Sequence, residues 1–161
     1  MPLGWSTNKE DVQYLLQNSK LLENLHLSAD TSRLRHHMQL KLKGLHEILS
    51  PSAGTLKVLA LTIPFPYCLI PRDRRLAVLC EELEAMAGNN ILEALPLFSH
   101  VHGVTYVQEA ADLLGSIIQE AEKVLVKSGW SSLRQVSFKF SIVCSQYNFY
   151  IKWKVAEFFP I

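Results

Sequence analysis

The stretch that most constrains the fold is the C-terminal run, residues 133–161. Val136, Phe138, Phe140, Ile142 and Cys144 alternate with Gln135, Ser137, Lys139, Ser141 and Ser145. After the polar break Ser145-Gln146-Tyr147-Asn148, Phe149, Ile151, Trp153 and Val155 alternate with Tyr150, Lys152 and Lys154. Successive strand residues point to opposite faces, so this alternation predicts two strands of a sheet with one buried and one wet face. With a short polar break between them, they are expected to pair as a C-terminal β-hairpin.

Upstream, the pattern is mainly helical. Thr7-Asn8-Lys9-Glu10 matches a capping box and precedes Val12, Leu15, Leu16 and Leu22, which predicts a helix over 9–25. Leu34, Met38, Leu42, Leu45, Ile48 and Leu49 form the apolar stripe of a second helix over 31–49. The two together read as a helical hairpin spanning 1–50. Ser50-Pro51-Ser52-Ala53-Gly54 breaks it. Residues 55–63 are apolar on both parities, the mark of a central strand covered on both sides. Pro64, Pro66 and Pro71 argue for a stiff apolar loop after it. A third helix is expected from Asp73 to about Ala87, with Glu81, Glu82 and Glu84 mainly outward. A short strand falls near 98–104, and a long amphipathic helix opens at Thr105-Tyr106-Val107-Gln108 and ends before Gly129. No internal repeat is apparent. The expectation is one α+β domain over 1–161, its 55–161 portion a small mixed or antiparallel sheet with the C-terminal hairpin, packed against about four helices.

Charge restricts the partners. Lys and Arg number 16 against 15 Asp and Glu, a net charge of +1 that provides no global attraction to nucleic acid or anionic lipid. Only 19% of residues are charged, below the usual quarter, so less surface than usual is permanently solvated. Three widely spaced cysteines, Cys68, Cys80 and Cys144, read as reduced thiols of an intracellular protein. No signal peptide or membrane-length apolar run is evident, and the expected compartment is cytoplasmic or nuclear.

Chemistry-bearing motifs are sparse. His100-Val101-His102 sets two imidazoles close together, but zinc needs further ligands and no spacing supplies them. Cys68 lies among apolar residues, which raise a thiol pKa and make it inert. Neither a nucleophile elbow nor a phosphate-binding glycine loop occurs. The expectation is therefore a non-enzymatic chain with no cofactor, no metal and no catalytic residue.

What remains is surface. Phe65, Tyr67, Leu69 and Ile70, and at the end Trp153, Phe158, Phe159 and Ile161, form apolar and aromatic stretches of the kind that anchor protein interfaces. Basic faces are expected from Arg33, Arg35 and Lys43 on the second helix, and from Lys139, Lys152 and Lys154 on the hairpin. The leading expectation is an interaction subunit or adaptor of an intracellular complex, in a hetero- or homo-oligomer. The alternatives are a domain binding a small hydrophobic ligand or lipid, and a nucleic-acid-associated subunit using the basic faces.

Overall fold

Four short stretches share one spacing, L-x-x-L-x-L. They are Leu22, Leu25 and Leu27; Leu56, Leu59 and Leu61; Leu92, Leu95 and Leu97; and, with Val and Phe in the second and third places, Leu133, Val136 and Phe138. In the computed structural model each of them enters a strand, and the four strands stack level with one another. The structure describes residues 2–4, 9–19, 21–28, 43–66, 75–104, 107–127, 129–144 and 150–158.

The elements follow in order as β1 (Pro2–Gly4), α1 (Lys9–Asn18), β2 (Asn24–Ser28), α2 (Leu45–Leu49) running into a 3-10 turn (Ser50–Ser52), β3 (Val58–Pro66), α3 (Arg75–Met86), β4 (Ala94–Val104), α4 (Val107–Lys127), β5 (Gln135–Cys144) and β6 (Tyr150–Phe158). The six described strands form one sheet whose spatial order is the chain order. Strands β1 to β5 are parallel, and only β6 runs antiparallel, against β5.

This overturns the expected α+β class with a small mixed or antiparallel sheet. Strands and helices alternate, the sheet is parallel through five strands, and the arrangement is α/β. The absence of a repeat is corrected as well, because the L-x-x-L-x-L stretches are structurally equivalent. Leu25 is level with Leu59, Leu27 with Leu61, Leu61 with Leu97, Leu95 with Val136 and Leu97 with Phe138. The entry to each strand repeats too. The Glu23 carbonyl accepts from the Lys57 and Val58 N–H groups, that of Lys57 from Glu93 and Ala94, and that of Glu93 from Arg134 and Gln135.

Each parallel step moves to the next position on the same side, and parallel crossovers are almost always right-handed. Both together place all the connections on one face of the sheet. Burial agrees with this. Leu25, Leu27, Leu59, Leu61, Leu95, Leu97, Val136, Phe138 and Phe140 form one core with Val12 and Leu16 of α1, Leu45, Ile48 and Leu49 of α2, Leu79, Leu83 and Met86 of α3, and Ala121 and Leu125 of α4. On the opposite parity Asn24, His26, Val58, Ala60, Thr62, Phe98 and Lys139 are half-buried or exposed, whereas Ser137 and Ser141 of β5 are buried, and no described helix contributes to that side. The chain is a singly wound coil of strand–helix units with helices behind and an open sheet face in front.

Several element boundaries differ from expectation for the same reason. The helix expected over 9–25 stops at Asn18, because Leu25 and Leu27 are recruited into β2. Of the helix expected over 31–49, only Leu45–Leu49 is helical among the described residues, and 29–42 lie outside them. Pro64, Phe65 and Pro66 belong to β3 instead of a loop. Strand β2 ends at Ser28, level with Thr62, so beyond Thr62 a described strand borders β3 on one side only, where proline is tolerated. The weak strand expected at 98–104 is the longest in the sheet, Ala94–Val104.

Candidate functional site

The open face carries the most organised polar and aromatic surface. Ser28, Thr62, Phe98, Lys139 and Lys154 occupy one level across β2 to β6. His26 sits two residues before Ser28 and shares a 2.8 Å hydrogen bond between its Nε2 and Thr62 Oγ1. Its ring lies 5.8 Å from that of Phe98, tilted by 42°. On the other flank, Lys139 Nζ stands 5.1 Å from the Phe98 ring centroid, a cation–π distance. Lys139 is exposed and Phe98 half-buried. Four strands thus supply one cluster, His26, Thr62, Phe98 and Lys139, with an aromatic ring held between an imidazole and an ammonium. It offers stacking surface, one cation and hydrogen-bonding groups.

Below this cluster, at the strand entrances, Glu23, Lys57, Glu93 and Arg134 hold equivalent positions in successive units, so charge alternates along the sheet. Lys57 Nζ binds Glu23 Oε1 at 2.8 Å. The hydrogen bond and charge of Glu23, aided by Glu93, raise the Lys57 pKa. This row joins one unit to the next; being exposed, it contributes register more than stability.

A second organised site lies among the helices. Glu82 was expected to point outward; its side chain is instead buried. One carboxylate oxygen accepts from the Gly44 N–H at 2.6 Å, and the other from the His46 N–H at 3.0 Å and from His46 Nδ1 at 2.7 Å. Gly44 has φ +85°, a left-handed conformation that delivers its N–H to the carboxylate without the steric cost other residues incur. Burial pushes the Glu82 pKa up, but the two backbone N–H groups and the imidazole outweigh it, and the net shift is downward. The carboxylate is thereby kept ionised, and His46 Nδ1 is the donor to it. Next to this pair is a cavity of about 320 Å³, lined by His46, Leu49, Leu56, Met86 and Leu92 among others.

Of the residues expected to bind a partner, Phe65 lies in β3 paired with Val101, while Trp153 and Phe158 lie in β6, paired with Phe140 and Val136. Tyr67, Leu69, Ile70, Phe159 and Ile161 lie outside the described residues. Among the basic residues, Lys139 and Lys154 are brought level, and Lys152 pairs with Ser141. Lys43 is exposed in the turn before α2, and Arg33 and Arg35 lie outside the described residues. His100 and His102 are in β4, level with Pro64 and Pro66. Among the described residues no three His, Cys, Asp or Glu side chains gather as a metal-holding group, and no helix is long and apolar enough to cross a membrane. Sequence reasoning missed His26, Thr62 and Phe98. The signal for them was the position inside the L-x-L (His26) or directly after it (Thr62 and Phe98), legible only once the four stretches are aligned. The chain matches no family model, no curated protein and no solved structure.

Proposed function

We propose that this chain is a non-enzymatic protein-interaction module of leucine-rich-repeat type, which binds a partner protein across the open face of its sheet. The observation that carries this is the strand order. Units that stack in sequence bury one face of the sheet behind helices and leave the other to present side chains in rows, the geometry solenoid proteins use for binding. The L-x-x-L-x-L opening of each unit is that of leucine-rich repeats. The units here are longer than that pattern's, and where it carries Asn or Cys this chain has Asp30, Pro64, His100 and Ser141. The likeness therefore rests on the strands. The Phe98 cluster supplies an aromatic anchor beside a cation on that face.

Capture of the tagged chain from its native cells, after nuclease digestion, tests this reading. The double variant Phe98→Ala/Lys139→Ala on the open face is compared with Val126→Ala, a control on the outer surface of α4, where Val126 is exposed. Proteins enriched by the unaltered chain and by Val126→Ala, but lost with the open-face variant, are the expected result. For a purified partner, Phe98→Ala weakens binding by about 2 kcal/mol, near 30-fold. Partners retained by the open-face variant, or lost on nuclease treatment, overturn the reading.

A further inference from the structure

The Glu82–His46 pair borders a cavity, and its chemistry is independent of the open face. Three donors hold the carboxylate: the Gly44 and His46 N–H groups and His46 Nδ1. An ionised carboxylate only accepts, so Nδ1 carries the proton. In the neutral imidazole the remaining nitrogen, Nε2, is then an acceptor. His46 is half-exposed and lines the cavity, with its Nδ1 committed to Glu82. Leu49, Leu56, Met86 and Leu92 form the apolar part of the lining, with Leu56 and Leu92 rooted in the core; Ser50, Asn89 and Asn90 form its polar part, and the Asn90 amide is already engaged by the Met86 carbonyl and the Leu92 N–H. The cavity volume of about 320 Å³ is at the lower end of the range for small-molecule sites. Beside it, between the lining residues Ser50 and Ala53, the buried Ser52 hydroxyl has no hydrogen-bond partner.

A half-open, largely apolar pocket with an oriented acceptor on its wall discriminates between ligands in a definite way. A hydroxyl donor satisfies Nε2, an ether leaves it unpaired, and a carboxylate meets a lone pair. The geometry points to a binding site for a small apolar molecule bearing one hydroxyl donor, a phenol or medium-chain alcohol, with its hydroxyl on His46 Nε2 and its body against Leu49, Leu56, Met86 and Leu92. The buried carboxylate of Glu82 acts here as the group that orients the imidazole.

Titration of the full chain with 4-propylphenol, followed through the Met86 methyl resonance, tests the site. A saturable shift of that methyl is expected. 4-Propylanisole, which has the same shape without the donor, binds about tenfold more weakly. Ala85→Leu fills the space from the outer side of α3, at an exposed lining position where leucine is a good helix former, and abolishes the shift while leaving the thermal midpoint and the rest of the spectrum in place. The proposal is overturned by any of four results: no saturable Met86 shift, equal affinity for the anisole, tighter binding of 4-propylbenzoate than of the phenol, or binding that survives Ala85→Leu.

Discussion

Glu82 shows how one side chain can tie two units together. It belongs to α3, yet all three of its donors come from Gly44 and His46 at the start of α2. Removing it strands those donors, and Glu82→Ala is expected to cost about 3 kcal/mol in urea denaturation. Its folded pKa lies below the ordinary carboxylate value of 4.5. The unfolded chain therefore takes up the proton first as pH falls. The contribution of Glu82 is fully present above about pH 4.5 and is lost as pH drops through the folded pKa. Glu82→Gln flattens that part of the stability–pH profile; an unchanged acid limb would show that the carboxylate is not held as described. Cys80 gives a second test at this scale. Burial, and then the nearby Glu120, Glu81 and Glu84, push its thiol up to about 11. In a chain with the other two cysteines replaced by serine, alkylation at neutral pH should be slow and rise about tenfold per pH unit until the thiol ionises. A fast neutral reaction would contradict this.

The strands explain what the sequence disclosed and what it hid. Alternation in 135–144 separated Val136, Phe138 and Phe140, all buried, from the exposed Gln135 and Lys139, but Ser137 and Ser141, expected on the wet face, are buried as well. Its meaning was misjudged. One-faced alternation suggests antiparallel sheet because parallel sheets are ordinarily covered on both faces. A singly wound sheet escapes that rule, since its crossovers all return on one side. In β3 the reverse happened. Val58 and Ala60 are small or aliphatic, so their face read as buried, although they are only half-covered. The repeat was obscured by unequal spacing and by Val136 and Phe138 standing where the other units have leucine. The Phe98 cluster was illegible for a different reason: its members come from four strands, and only register brings them together. Truncation separates the two faces. Leu59→Ala, at a fully buried position, should cost about 3 kcal/mol, whereas Val58→Ala beside it should cost about 1 kcal/mol or less. Similar losses at both positions would mean that the front of the sheet is covered.

Across the whole molecule each unit touches chiefly its neighbours, and stability should be distributed accordingly. Amide exchange is expected to be slowest in β3 and β4, the two strands at the centre of the sheet, and fastest in the three-residue β1 at the sheet edge. Uniform protection from β1 to β5 would refute a unit-by-unit structure. The alternating row Glu23, Lys57, Glu93 and Arg134 crosses the same units. Lys57→Glu sets three acids side by side, so its thermal midpoint should fall at low ionic strength and recover in about 1 M salt, where screening is within about 3 Å. The identity of chain order and strand order has a consequence for synthesis. No strand from β2 to β5 waits for a distant segment to arrive, because its partner on one side has already left the ribosome. The molecule can be laid down during translation one course upon the last, each new strand templated by a finished edge, with β6 arriving last and turning back along β5.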